Sequence, residues 1–268
     1  PYHSLALTAT GCVYSWGWCY DAPEEEQCAS PTPKLVDGLA HARIAGISAG
    51  DAHCLALSTT GTVYSFGYGS DSCLGHGDAA DQWKPKRIEA LGAVRAVHVS
   101  AGYEHSLVVD DAGAAHSFGC DNAGALGHDD AKRTPTRIHA LEGVRIVRAC
   151  AGDGMSLLLD ADGGVHVCGF RSPARRSVTP TSHVPTRIRE YYRFEADEAL
   201  PIARATGIAL STSHALVVTA EGRAYSWGQE SAALGHGAFD PEVDYDGINV
   251  PICVQNAPRL RVPAGWPC

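Results

Sequence analysis

Apolar residues along this chain alternate with polar ones in short runs, and the runs return on a fixed period. Five times the chain writes two such runs around a turn: HSLALTATGCVYSWG from His3, HCLALSTTGTVYSFG from His53, HSLVVDDAGAAHSFG from His105, MSLLLDADGGVHVCG from Met155 and HALVVTAEGRAYSWG from His214. The closing glycines Gly17, Gly67, Gly119, Gly169 and Gly228 are separated by 50, 52, 50 and 59 residues, so the register holds with one insertion. Period-two alternation belongs to strands with two distinct faces. Thr60-Gly61, Ala112-Gly113 and Glu221-Gly222 supply the turns, because glycine accepts the positive φ that tight hairpins require. Hairpins are predicted at 3–17, 53–67, 105–119, 155–169 and 214–228.

Two further runs flank each hairpin. Ile44 to Ala49, Val94 to Ser100 and Val144 to Cys150 precede it, each leading into Ala-Gly. A shorter run follows Pro33, Pro85, Pro135, Pro185 and Pro251. Proline cannot donate to a ladder, so this run is expected at a sheet edge. Four antiparallel strands in about fifty residues is the size of one propeller blade. The fold class is therefore all-β, a β-propeller of four-stranded antiparallel blades with five repeat units, and residues 1–268 form a single repeat domain.

Composition agrees with this. The 268 residues include 29 Gly and 15 Pro against one Met, a balance that favours many short strands and turns over long helices. A net charge of −9 argues against a broad electrostatic grip on nucleic acid, so no direct nucleic acid partner is expected. The short basic run Arg171, Arg175 and Arg176 reads as a solvated loop. Ten cysteines carry no C-x-x-C pair, and Cys12, Cys54, Cys150 and Cys168 fall inside apolar strand patterns, where a thiol behaves as a small hydrophobe. This predicts a reduced, intracellular setting, cytoplasmic or nuclear. No window reaches the roughly twenty apolar residues that would span a bilayer as a helix, so no membrane insertion is expected.

A glycine-rich loop follows three of the hairpins: Leu74-Gly75-His76-Gly77, Leu126-Gly127-His128-Asp129 and Leu234-Gly235-His236-Gly237. With the Ala-Gly-x-x-His-Ser-Leu opening, the Gly-x-Val-Tyr-Ser-Trp/Phe-Gly hairpin and the Pro-x-x-Ile strand, the chain resembles the regulator of chromosome condensation repeat family over essentially its whole length. The resemblance implies a seven-bladed propeller in a complete domain. Only five periods are present, so an open arc is expected, belonging to a longer protein.

Histidines recur at 3, 53, 105 and 214 and again at 76, 128 and 236, which invites a metal or acid–base reading. One copy per blade spreads them around a ring, whereas a zinc ion needs about four ligands at roughly 2.0–2.3 Å. They are expected to hold loop backbones, and no catalytic residue, cofactor or metal is assigned. Asp110, Asp111, Asp160 and Asp162 occupy hairpin turns, where aspartate caps its own backbone. Trp16, Phe66, Phe118 and Trp227 share one register position and read as blade-packing residues.

In a repeat array the consensus supplies stability, and function concentrates in the departures. From Pro185 the chain takes nine more residues to reach the next repeat frame than it takes from Pro33, Pro85 or Pro135. The added stretch contains Tyr191, Tyr192, Arg193, Phe194 and Glu195, side-chain types that carry energy at protein interfaces. The competing reading is a strand extension that covers an edge. A second long loop contains Asp240, Glu242 and Asp244, and Glu24-Glu25-Glu26 form a third acidic loop, all suited either to a basic partner or to solubility. The function expected is a protein-interaction scaffold that binds protein partners through propeller-face loops. The resemblance implies two alternatives: a guanine-nucleotide exchange factor acting on a small GTPase, or a regulatory propeller of a larger multidomain enzyme.

Overall fold

The structure is a computed structural model that describes residues 3–17, 30–121, 124–169, 184–188, 190–193, 198–201, 204–212, 214–228 and 248–253. Five antiparallel sheets follow one another along the chain. The first holds β1 (His3–Leu7), β2 (Val13–Gly17) and β3 (Ser30–Leu35). The second holds β4 (Ile44–Ala49), β5 (His53–Ser58), β6 (Val63–Gly67) and β7 (Gln82–Arg87). The third holds β8 (Ala96–Ala101), β9 (His105–Asp110), β10 (Ala115–Gly119) and β11 (Lys132–Arg137). The fourth holds β12 (Ile146–Ala151), β13 (Met155–Asp160), β14 (Val165–Gly169) and β15 (Thr186–Arg187). A hairpin of β16 (Glu190–Arg193) and β17 (Glu198–Pro201) comes next. It joins the fifth sheet, formed with β18 (Ala205–Leu210), β19 (His214–Thr219), β20 (Ala224–Gly228) and β21 (Ile248–Cys253) in the order β17-β16-β21-β20-β19-β18.

All five predicted hairpins are present, as β1-β2, β5-β6, β9-β10, β13-β14 and β19-β20. Their turns are set by local chemistry. The Gly61 amide donates to the Ser58 carbonyl at 3.0 Å and the Ser58 amide to the Thr62 carbonyl at 2.9 Å, a three-residue loop closed by Gly61 at φ +88°. A Cβ at Gly61 would lie 2.5 Å from Arg95 Cγ, so the turn needs glycine for space as well as for φ.

Two sheets depart from four strands. The first has three, with β1 at its inner edge. The fifth has six, because β16 lies parallel to β21 through the pair Tyr192 and Ile252. The proline-bearing strand is thus the edge in the first four sheets but is flanked on both sides in the fifth. Pro85 is tolerated because the ladder skips from Lys86, opposite Ser65, to Gln82, opposite Gly67, leaving it inside a bulge. Short 3-10 turns at Asp37–Leu39, Glu89–Leu91 and His139–Leu141 follow the edge strands and bury Leu39, Leu91 and Leu141.

The apolar cores lie between sheets. Leu55, Leu57 and Val63 of the second sheet pack with Val99, Val108 and Phe118 of the third. The same arrangement joins the first sheet to the second, the third to the fourth and the fourth to the fifth. Five sheets thus share four cores among the described residues, and the ring is open. Strand alternation produces this: Leu55 and Leu57 face the following sheet, while Cys54, Ala56, Tyr64 and Phe66 face the preceding one. Each fully buried leucine contributes about 1.5–3 kcal/mol.

Near the axis the sheets are clasped by backbone. The Asp51 amide donates to the Gly102 carbonyl at 3.1 Å, and the Tyr103 amide to the Gly152 carbonyl at 3.0 Å. The serine hydroxyls of Ser48 and Ser100 accept from the Ala101 and Ala151 amides of the next sheet at 2.9 and 3.0 Å. Gly102 makes this approach possible, since a Cβ there would stand 2.6 Å from the Gly152 carbonyl oxygen.

Cys54, Cys150 and Cys168 are buried, as their strand patterns imply. Cys12 is exposed instead, because it leaves the first hairpin turn rather than entering a strand.

Candidate functional site

Three of the recurring histidines, His3, His53 and His105, join sheets to one another, whereas His214 meets Ser211 of its own unit. His53 Nε2 lies 2.8 Å from Ser106 Oγ in the third sheet, and that hydroxyl donates to the Cys73 carbonyl at 2.9 Å. His105 Nε2 lies 2.8 Å from Ser156 Oγ in the fourth sheet, which donates to the Ala125 carbonyl at 2.7 Å. Because each serine proton points at a carbonyl, the histidine must donate from Nε2. Burial pushes His53 down to about 3 and His105 down to about 4, so both rings are neutral near pH 7. Each relay runs from ring to hydroxyl to loop carbonyl and fixes a loop of one blade through a strand of the next.

Of the second set of histidines, His76 holds its loop from within, while His236 lies outside the described residues. Ser65 Oγ donates to the Leu74 carbonyl at 2.7 Å and meets His76 Nε2 at 3.0 Å. Ser117 Oγ donates to the Leu126 carbonyl at 2.6 Å. Carboxylates add further ties: Asp81 accepts from the Gly69 amide at 2.7 Å and Asp121 from the Leu126 amide at 3.0 Å. These loops open on the same end of the array as the turns between first and second strands. Asp71, Asp78, Asp129, Asp130 and Asp153 are exposed there, and Tyr103 is 42% exposed. Lys132 hydrogen-bonds Asp130 and holds its carboxyl below the ordinary range.

The opposite end carries a feature not anticipated from the sequence. His116 Nε2 lies 3.0 Å from Asp110 Oδ2, and His166 Nε2 lies 2.9 Å from Asp160 Oδ2. The other oxygen of each aspartate caps its turn, Asp110 accepting from the Ala114 amide at 2.8 Å and Asp160 from the Gly164 amide at 2.7 Å. Burial opposes ionisation of Asp160, but His166, the Gly164 amide and nearby Arg187 together hold its carboxyl below the usual value. The signal was available: Asp and His replace the Ser58 and Tyr64 of the second unit together, in two successive units. These pairs brace turns, and among the described residues no group of three or more His, Cys, Asp or Glu converges on a point.

Of the interface candidates, Tyr191, Tyr192 and Arg193 lie in β16, the strand between the edge strand β17 and β21 in the fifth sheet. The described part of the insertion is a strand hairpin at the edge of the fifth sheet. Phe194, Glu195, Asp240, Glu242 and Asp244 lie outside the described residues, as do the loop acids Glu24, Glu25 and Glu26. Phe66, Phe118 and Trp227 pack between blades as expected, whereas Trp16 is only half-buried. Among the described residues no helix is long and apolar enough to cross a membrane.

The family model of the regulator of chromosome condensation (RCC1) repeat matches residues 60–109 and 112–159, and a second model of that repeat matches 44–73. The chain is 34% identical over 102 residues to the human E3 ubiquitin-protein ligase HERC2, which is 37% of this chain and 2% of that protein. It is 33% identical over 114 residues to the ultraviolet-B receptor UVR8 of Arabidopsis thaliana, 41% of this chain and 26% of that protein. The chain thus spans a minor part of the curated relatives it matches. Among solved structures, human WBSCR16 superposes with a TM-score of 0.78 and 23% identity, covering 95% of this chain and 65% of that one. Prp20p of Saccharomyces cerevisiae, studied for its binding to Gsp1p and histones, gives 0.76 and 22%, covering 95% and 61%. At these identities the structural likeness establishes the fold.

Proposed function

Since this chain carries repeats of the RCC1 family, we propose that it is a protein-interaction module that binds a basic partner through the end of the array bearing the pinned loops. One observation carries this reading. The loops that carry Asp71 and Asp129 are tied by buried hydroxyls at the Cys73, Leu74, Ala125 and Leu126 carbonyls, so these exposed carboxylates, with Asp153 on the same end, sit on an ordered framework that a partner need not order on binding. An acidic face of this kind steers a cationic surface and sets its approach rate. The inserted Tyr191, Tyr192, Arg193, Phe194 and Glu195, and the loop acids Asp240, Glu242 and Asp244, extend the candidate contact region. Neutral buried histidines and turn-capping aspartates support binding over catalysis.

The test is capture of partners by the chain and by a variant with Asp71, Asp129 and Asp153 changed to Asn. The expected result is partner association that slows as salt rises and drops at least several-fold in the variant. Equal binding by both would refute the acidic-face reading. A companion variant replacing Tyr191, Tyr192 and Phe194 by Ala reports on the insertion in the same assay. The binding of Prp20p to Gsp1p supports a second reading, nucleotide exchange on a small GTPase. Unchanged release of a fluorescent nucleotide across a panel of small GTPases would eliminate it.

A further inference from the structure

At the hairpin-turn end of the second sheet a cavity of about 220 Å³ opens between the β5-β6 turn and the segment that leads from β7 into β8, with Thr60, Thr62, Arg87 and Arg95 in its lining. It is smaller than the roughly 300–1,000 Å³ of an ordinary small-molecule pocket, so it suits one functional group rather than a whole cofactor. Two arginines reach it from separate parts of the scaffold. The Arg95 stem packs across the turn, its Cγ 2.5 Å from where a Cβ on Gly61 would stand. Arg87 lies along the other wall, its Nη2 3.4 Å from where a Cβ on Gly92 would stand. Thr60 Oγ1 lies 2.8 Å from Ser58 Oγ and 3.4 Å from Thr62 Oγ1, so the two threonine hydroxyls stand side by side in the turn.

Neither guanidinium is saturated. Arg87 Nε lies 3.7 Å from Glu89 Oε2 and Arg95 Nη1 lies 3.7 Å from Asp111 Oδ2, both beyond hydrogen-bond reach, and all four side chains are about half exposed or more. Such ion pairs are weak and screened, and they yield to a better anion. The other units show what is particular to the second. In the fourth, Gly164 stands where Thr62 does, and Arg187 turns inward against it, with Nε 4.0 Å from Asp160 Oδ2. Thr62 carries a Cβ at that place, which keeps Arg87 outside the turn. In the third, Arg137 and Arg145 hold the two arginine positions, but Ala112 and Ala114 hold the threonine positions. Among the described residues, both guanidiniums and both hydroxyls therefore come together only in the second unit.

We propose that this cavity binds a phosphate group, with Arg87 and Arg95 donating to its oxygens from two sides and the Thr60 and Thr62 hydroxyls donating from the turn. Guanidinium forks match the spacing of oxyanion oxygens. Two forks and two hydroxyls outnumber the lone pairs of a carboxylate and suit the three terminal oxygens of a phosphate monoester. Its charge, near −2 at neutral pH, also exceeds that of the Glu89 or Asp111 carboxylate it displaces. The site lies at the end of the array away from the exposed acidic loops, so it can fail while the partner-binding reading stands, and the reverse.

Titration of the isotope-labelled 268-residue chain with inorganic phosphate at constant ionic strength, followed by the magnetic resonance signals of the arginine side-chain N–H groups, tests this. The Arg87 and Arg95 signals should shift together and saturate with a dissociation constant on the order of 1 mM, and acetate should not saturate them in that range. R87Q should weaken phosphate binding at least about fivefold, and so should T60A/T62A, which installs the alanines that the third unit carries. R95K retains the charge and the stem across Gly61 but loses the fork, and should weaken binding as well. E89Q/D111N removes the competing carboxylates and should tighten binding about threefold. A peptide with one phosphoserine, run beside its unmodified form, identifies the source of the group. Binding about tenfold tighter than inorganic phosphate, lost without the phosphoryl group, assigns the site to a modified partner chain, whereas equal or weaker affinity assigns it to free phosphate. Shifts that never saturate with phosphate, an equal response to acetate, or binding unaltered in R87Q would overturn the proposal. Arg87 and Arg95 are exposed, and thermal unfolding checks that every variant is folded.

Discussion

His105 and Ser156 are 51 residues apart in sequence, yet His105 Nε2 stands 2.8 Å from the Ser156 hydroxyl across the junction of two sheets. Burial holds the folded pKa of His105 at about 4 and that of His53 at about 3, against 6.5 for an ordinary histidine. Between those values the unfolded chain binds more protons than the folded one, so stability is lost as pH falls through 6.5 and the loss continues toward the folded values. At about pH 5 the loss is on the order of 2 kcal/mol per ring. Urea midpoints measured from neutral to mildly acidic pH should fall accordingly. The H105M/S156A variant, which copies the pairing of Met155 with Ala215 in the core between fourth and fifth sheets, should flatten that slope.

Gly102→Ala should destabilise the chain by about 1–3 kcal/mol through overpacking alone. The new Cβ would press on the Gly152 carbonyl at 2.6 Å and break the clasp between second, third and fourth sheets. A urea midpoint unchanged from the parent would contradict the close approach.

Trp227 and Trp16 hold equivalent register positions, but only Trp227 is sealed between sheets, at 2% exposure. Trp227→Ala should cost about 3–5 kcal/mol, the range for emptying a large aromatic site in a core. Trp16→Ala should cost clearly less, because its side chain is only half-buried. Paired thermal melts compare the two, and equal losses would contradict the difference in burial.

Asp160→Ala should cost about 2–4 kcal/mol, because it strands the Gly164 amide and the His166 ring donor in a buried turn. Asp111→Ala, in the equivalent turn of the third unit but exposed, should stay within about 0.5 kcal/mol of parent. Chemical denaturation of the two variants side by side would show the contrast.

The five hairpins were legible because two local signals coincide at each: period-two alternation, and a turn glycine such as Gly61 that geometry demands. The relays were not. His53 and Ser106 sit in ordinary strand positions, and only the stacking of sheets brings them together; the joint change of both positions to Met155 and Ala215 was the one trace in the sequence. The Asp160 and His166 pair escaped for a related reason, since a turn-capping aspartate explains itself without a second partner. Cys12 misled because a residue beside a turn carries the same apolar flank as one inside a strand. The insertion around Tyr191 and Tyr192 left both an interface stretch and a strand extension open because nothing local reveals that β21, sixty residues onward, offers it a parallel ladder.

Matched junctions also govern how such an array can be edited. Duplicating the third unit in place would set His105 of the first copy against Ser106 of the second, a compatible neighbour. Duplicating the fourth would set Met155 against Ser156 and leave a buried hydroxyl without its imidazole. Units on either side of that seam are therefore not interchangeable, and growth or loss by whole repeats is constrained by two side chains rather than by the fifty or so around them.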